Sequence, residues 1–209
     1  MRILVAVIAA SFALGIAPEV LAAVDGDAAT AKDGSPRQTL AGPAEELSRA
    51  EQLDALFETL KTAKDKEAAN AAENSIAALW LDSGSDTVDL LMEWTLAAMK
   101  EKNFPLALDY LDRILTLKPD YVEGWNTRAT VYFMTEDLGR ALADIERVLA
   151  IEPRHFSALA GLGTILREIG EDKRALEVYR RAIAVDPHLP NVQKAIDDLE
   201  GKGAGGRDI

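Results

Sequence analysis

Three short stretches of this chain repeat one pattern: LTLKP at 115–119, LAIEP at 149–153 and IAVDP at 183–187. Their prolines are 34 residues apart, and three alanines upstream keep the same spacing, at Ala107, Ala141 and Ala175. A fixed period of this length is the sequence signature of a repeat architecture. The pattern therefore divides this part of the chain into three units of equal length, residues 88–121, 122–155 and 156–189.

Each unit has the composition of two amphipathic helices, because its apolar residues recur at i, i+3, i+4 and i+7. Each proline follows a second helix and cannot continue its hydrogen-bond ladder. Gly170 stands where the first helix of the last unit should end. Asp120 and Glu123 resemble a capping box for the helix after Pro119. Small residues that would let paired helices approach closely occupy the eighth position of the units: Thr95, Ala129 and Gly163.

These columns resemble the tetratricopeptide repeat, whose pattern is W-x2-L-G-x2-Y, then A-x3-F, then P. The middle unit matches with Trp125, Tyr132, Ala141 and Pro153, although Arg128 and Ala129 replace the usual Leu-Gly. The last unit supplies Leu162, Gly163, Ala175, Tyr179 and Pro187. The resemblance implies an all-α fold, a right-handed α-solenoid of antiparallel helix pairs, about four hairpins in all.

Helical patterns also flank the three units. Residues 44–87 are expected to form a degenerate helical hairpin stacked one register upstream, with Phe57 and Leu60 in the fourth and seventh columns. Pro190 begins a predicted capping helix over 190–201, the solvating end that a solenoid needs. Residues 202–209 are expected to be a flexible tail.

The first 22 residues have the pattern of a secretory signal peptide. Arg2 provides the positive charge, Ile3 to Ala17 the apolar core, and cleavage is expected after Ala22. The alternative is an uncleaved membrane anchor, for which the apolar run is short. Residues 23–43 are small and polar and predict a disordered linker. The expected location is the bacterial periplasm.

Composition argues against several classes of function. The formal net charge of -12 disfavours nucleic-acid and membrane-surface binding and favours a neutral or basic partner. Cysteine is absent, which excludes disulfides, thiolate metal sites and cysteine nucleophiles. His155 and His188 stand at turns, where helix entry or solvent exposure is the plain interpretation. We therefore expect no metal, no cofactor and no catalytic residues.

The resemblance also assigns a binding surface, since first helices of tetratricopeptide units line a concave face. The positions carried over as a partner-binding groove are Met92, Leu96, Met99, Asn126, Thr130, Phe133, Met134, Thr164 and Arg167. Flexible methionines suit varied apolar partners. The alternative is that these residues pack within the core. The charged clamp of chaperone-tail binders is missing, because its positions hold Met92, Leu96, Thr127, Ser157 and Gly161.

The sequence thus favours a non-catalytic scaffold or adaptor that binds a protein or peptide segment in the concave groove. One alternative is a structural module that self-associates into homo-oligomers. A third possibility is an enzyme or small-ligand binder in the concavity, which would need convergent polar groups. The oligomeric state and the identity of the partner are left open.

Overall fold

The computed structural model describes residues 47–205, and within that range the chain forms nine α-helices and no strand. Their bounds are α1 Arg49–Thr62, α2 Lys66–Leu81, α3 Asp86–Lys100, α4 Phe104–Leu117, α5 Val122–Met134, α6 Leu138–Ile151, α7 Phe156–Glu168, α8 Asp172–Val185 and α9 Pro190–Gly205. Helices α3 to α8 form the three repeats as antiparallel pairs, α3–α4, α5–α6 and α7–α8. The expected all-α helical repeat solenoid is confirmed.

The turn inside each repeat has one shared conformation. The first helix ends before a residue of positive φ, which is Lys102 (57°), Glu136 (62°) or Gly170 (83°). Only glycine adopts this left-handed conformation without a steric cost, so Gly170 ends α7 as the sequence predicts. The second helix of the first two repeats then begins on a side chain, Asn103 or Asp137, that accepts a backbone N–H.

Gly163 lies at a close approach between the paired helices α7 and α8. A Cβ atom added there would lie 2.4 Å from the Tyr179 ring, well inside van der Waals contact. The neighbouring Gly161 is different, because its added Cβ would lie 3.7 Å from Ile145 in ordinary contact. The predicted packing role of Gly163 is therefore confirmed.

An ion-pair network joins the first two repeats. The Arg128 guanidinium donates to both Asp144 carboxylate oxygens at 2.7 and 2.9 Å, and to the Asp112 carboxylate at 2.7 Å. Asp144 is buried and Asp112 is exposed. The charge on Asp144 is thus compensated by a bidentate pair, whose removal would leave a buried carboxylate without its cation.

Helix α9 covers the last repeat and is longer than expected. Val192, Ala195, Ile196 and Leu199 are buried with side chains of α7 and α8. The helix continues to Gly205, so the expectation of a flexible tail is wrong for residues 202–205, whose backbone extends the helix. The proposed signal peptide 1–22, the linker 23–43, residues 44–46 and the tail residues 206–209 lie outside the described residues.

The N-terminal pair α1–α2 is helical, but it does not stack on α3 as expected. Its buried residues, among them Phe57, Leu60, Ile76 and Trp80, share one core cluster with residues of α5, α6 and α7. The buried residues of α3 and α4 form a separate cluster. The hairpin therefore packs alongside the second and third repeats, and the expected position one register upstream is wrong.

Candidate functional site

The groove positions predicted on α3 divide into core and surface. Met92 is only 2% exposed and belongs to the α3–α4 core, so its expected contact with a partner is wrong. Leu96 and Met99 are half-buried against the same core. These two side chains retain some accessible apolar surface.

On α5 and α7 the predicted groove is a mixture of polar and apolar groups. The Thr130 hydroxyl donates to the Asn126 carbonyl, and the Thr164 hydroxyl donates to the Ala160 carbonyl. Phe133 is half-buried against the core, whereas Met134 is 42% exposed. Among the predicted groove residues, Met134 is thus the apolar side chain most available to a partner. Two polar members are partly buried: Asn126, whose amide donates to Glu123, and Arg167.

A second surface is formed by the turns that join successive repeats, residues 118–121, 152–155 and 186–189, which we call the turn edge. The last residues of these turns are one repeat apart: Tyr121, His155 and Leu189. Tyr121 and His155 contact the α1–α2 hairpin directly. The Tyr121 hydroxyl donates to the Leu81 carbonyl at 2.6 Å, and Leu189 packs against the core cluster that contains the hairpin.

His155 is the centre of the turn edge. Its ring stacks on Trp80 with centroids 4.1 Å apart and planes inclined by 10°. Nδ1 accepts the Ala158 backbone N–H at 3.2 Å and caps α7. The proton therefore lies on Nε2, which donates to the Glu123 carboxylate at 3.1 Å. The expectation of helix entry is confirmed, but solvent exposure is wrong because His155 is fully buried.

Glu123 accepts a hydrogen bond from His155 and does not form a capping box. Helix α5 begins after Tyr121 without a side-chain cap, so the box predicted from Asp120 and Glu123 is wrong. Although burial raises the pKa of Glu123, hydrogen bonds from His155 and Asn126 hold it below its usual range. The carboxylate thus stays charged and orients the buried imidazole.

Charged groups extend the contact between the hairpin and the turn edge. Arg154 donates to the Asp54 carboxylate of α1 at 2.6 Å and lies 4.3 Å from the Phe57 ring centroid. Near the third turn, burial and then the charge of Asp186 raise the pKa of Glu73 in α2 to about 7. Burial also raises the pKa of Asp186 itself. The pKa is therefore raised for one carboxyl group of the hairpin and for one of the third turn.

These contacts were not anticipated from the sequence. The available signal was the second position after each proline, where Tyr121, His155 and Leu189 replace the small polar residues usual in exposed turns. A hydrophobic or aromatic residue repeated at a turn indicates that the turn is covered.

Two further features concern the described residues, 47–205, as a whole. No group of three His, Asp or Glu side chains there could hold a metal ion. Among the same residues, no helix has the length and apolar character required to cross a bilayer.

The family is decided by comparison with known proteins. Tetratricopeptide repeat models match residues 96–161 and 156–189. A TPR repeat-containing protein of Rhizobium etli is 43% identical over 75% of this chain and 77% of its own length. The chain belongs to the tetratricopeptide repeat (TPR) family. The general transcriptional corepressor ssn6 of Schizosaccharomyces pombe is 27% identical over 44% of this chain, a region that spans only 9% of that protein.

Solved TPR structures share the fold at low sequence identity. The first TPR of Spaghetti (RPAP3), bound to the Hsp90 peptide SRMEEVD, has a TM-score of 0.55 at 18% identity, covering 57% of this chain and 95% of that one. The TPR2B domain of yeast Sti1, in complex with an Hsp70 peptide, has a TM-score of 0.51 at 20% identity, covering 59% and 100%. MamA matches 74% of this chain and 84% of its own with a TM-score of 0.52 at 20% identity.

Proposed function

We propose that this TPR protein is a non-catalytic scaffold that binds a segment of another protein along the concave face of α3, α5 and α7. The main support is the presence of accessible apolar groups on that face, above all Met134, beside half-buried Leu96 and Met99. A preformed rigid groove lowers the ordering cost of binding an extended or helical segment. Spaghetti and Sti1 bind peptides through the same fold.

The chemistry of the partner follows from charge. The chain carries a net charge of -12, and the basic clamp positions of chaperone-tail binders hold uncharged residues here. An acidic tail such as SRMEEVD would therefore meet repulsion without a compensating cation. A neutral or basic segment with apolar anchors is the partner class that we propose.

A substitution of Met134 by Glu tests the groove, with Ile151→Glu as the matched control. Ile151 is 41% exposed but lies on α6, a second helix, so both changes place a carboxylate at an equally accessible apolar site. Tagged mature chain would be used to capture partners from envelope extracts, followed by quantitative mass spectrometry. We expect the Met134 variant alone to lose a partner. Equal capture by both variants would contradict groove binding.

Export to the periplasm is part of the proposal and rests on residues 1–22. Sequencing the N-terminus of the chain recovered from the periplasmic fraction tests it directly. We expect the mature chain to begin at Ala23, after cleavage behind Ala22. Recovery of only the Met1-containing form, in the membrane fraction, would favour the uncleaved anchor instead.

The second candidate function is self-association, in which apolar surface is buried between copies. Light scattering on the purified mature chain separates the two proposals. A monomer at all concentrations favours the scaffold. A stable dimer that Met134→Glu dissociates would instead assign the groove to a second copy of the chain.

A further inference from the structure

Corresponding residues in the first helices of the three repeats differ in how much they are exposed. We compare the third, seventh and tenth residues of each unit. In α5 these are Gly124, Arg128 and Val131, and in α7 they are Ala158, Leu162 and Ile165, all buried or half-buried. In α3 they are Leu90, Trp94 and Ala97, all exposed. The same face is thus covered in the second and third repeats and bare in the first.

The covering element in the later repeats is the preceding second helix. Helix α4 packs on α5 so closely that a Cβ atom added to Gly124 would lie 2.9 Å from Leu115. Helix α6 occupies the same place on α7. For α3 the preceding helix is α2, but α2 packs with α5 and α7 along the turn edge instead. The position that a second helix would fill on α3 is therefore unoccupied by the hairpin.

This exposed surface, which we call the end face, consists of the apolar residues Leu90, Trp94 and Ala97. Leu90 is 44% exposed and Trp94 is 47% exposed. The Trp94 ring lies beside Tyr110 of α4, with centroids 5.8 Å apart. Tyr110 is half-buried, so Trp94 is the exposed ring of this pair. Exposed Trp side chains are enriched at protein–protein interfaces, because they bury much area on binding.

We propose that the end face binds an amphipathic helix of a partner protein, seated on α3 as α4 is seated on α5. This inference goes beyond the concave groove and does not depend on it. The repeats themselves give the dimensions of the occupant, because α4 and α6 are both helices of 14 residues. An apolar stripe about four turns long is therefore the element that fits.

Charge and aromatic chemistry specify the border of that stripe. Asp86 and Glu93 are exposed on α3, and exposed Glu101 follows its last residue. These three carboxylates outnumber Lys100, the one basic residue of α3, so the partner helix carries Lys or Arg beside its apolar stripe. The seventh column sharpens this point. On α5, Arg128 meets Asp112 of the covering helix, whereas α3 holds Trp94 in that column. A cation where α4 has Asp112 would lie over the Trp94 ring in a cation–π contact.

The same charges argue against a second copy as the occupant. Two end faces brought together would place the acidic residues of both copies around one interface, with a net charge of -12 on each chain. Like charges across an interface oppose association. A separate protein with a basic amphipathic helix satisfies the end face without that repulsion.

Two labelled peptides test the proposal against the full chain. The first copies α4, residues 104–117, with the change Asp112→Lys, and the second is the unchanged α4 sequence. Fluorescence anisotropy would measure the binding of each peptide. We expect the lysine peptide to bind about fivefold more tightly, from the cation–π contact alone. We expect Trp94→Ser to abolish the binding of both.

The controls distinguish the end face from other apolar surface. Leu117→Ser changes a residue that is 60% exposed on α4, so its binding should equal that of the unchanged chain. Far-UV circular dichroism verifies the fold of both variants. The proposal is overturned if neither peptide binds, or if Trp94→Ser binds both as well as Leu117→Ser does. It is also overturned if light scattering finds a dimer that Trp94→Ser dissociates, since a second copy would then occupy the face.

Discussion

Replacement of Trp80 by alanine should detach the N-terminal hairpin from the repeats. Trp80 is 3% exposed and contacts three aromatic rings: His155 at 4.1 Å, Phe156 at 5.4 Å and Phe57 at 5.9 Å between centroids. It therefore joins α1, α2 and the start of α7 at a single point. The indole Nε1 has no hydrogen-bond partner among the described residues, so the contribution of Trp80 is packing rather than polar bonding.

The magnitude follows from burial. Truncation of a buried Trp to Ala costs about 3–5 kcal/mol. For a domain of this size, each kcal/mol lowers the melting temperature by about 2–4 °C, which gives a decrease of roughly 6–20 °C. Trp94→Ala is the matched control, because Trp94 is 47% exposed and should cost less than about 1 kcal/mol. Trp80→Phe keeps a ring in place and should lie between the two.

Hydrogen exchange locates the effect. Because the hairpin and the α3–α4 pair belong to separate core clusters, amides of α1 and α2 should lose protection first in Trp80→Ala. Amides of α3 and α4 should remain protected. Loss of protection in α3 before α2, or equal melting temperatures for Trp80→Ala and Trp94→Ala, would refute the placement of the hairpin on the turn edge.

Three further predictions concern the repeats and the charges around them. Gly163→Ala should lower the free energy of unfolding by about 1–3 kcal/mol, because the added methyl group clashes with the Tyr179 ring. In the same urea titration, Gly161→Ala should be neutral or stabilising. Arg128→Ala should lower the free energy of unfolding, measured by chemical denaturation, by about 3 kcal/mol, because the buried Asp144 carboxylate loses its cation. Asp112→Ala removes only an exposed partner and should lower it by less than about 1 kcal/mol. Glu73 has a folded-state pKa of about 7, above its usual 4.5, so the native state binds the Glu73 proton more tightly than the unfolded chain does. The free energy of unfolding should therefore fall as pH rises from 4.5 to about 7. With allowance for solvent screening, this fall is about 1–2 kcal/mol. Glu73→Gln should remove the fall, as measured by urea titrations across this pH range.

The repeat fold was predictable because it depends on local and periodic features. Gly170 adopts positive φ where a helix had to end, and Gly163 is packed against a ring where the pattern required a small residue. Both roles repeat at a fixed spacing, so the evidence in each unit supports the others. Family resemblance then supplied the pairing of the helices.

The hairpin could not be placed in the same way. Its apolar pattern predicts two helices, but it does not say which apolar surface they cover. The position of Trp80 depends on a contact with His155 that is distant in sequence, and no period links the two residues. Met92 shows the same limit, since a column assigned to the concave face is buried here within the α3–α4 core.

The position of the hairpin also explains why the two ends of the solenoid differ. A repeat stack needs a polar cap at each end, because the outermost helix otherwise exposes the face that a neighbour would cover. Helix α9 provides this cap at the C-terminal end, where its buried apolar residues pack on α7 and α8 beside an exposed Arg180–Glu200 ion pair at 2.7 Å. The hairpin does not cap the other end, because its aromatic residues Phe57 and Trp80 are buried in the core cluster shared with α5, α6 and α7. Covering the turns thus leaves Leu90 and Trp94 exposed, so that the α3 end of the solenoid can add a helix from another protein.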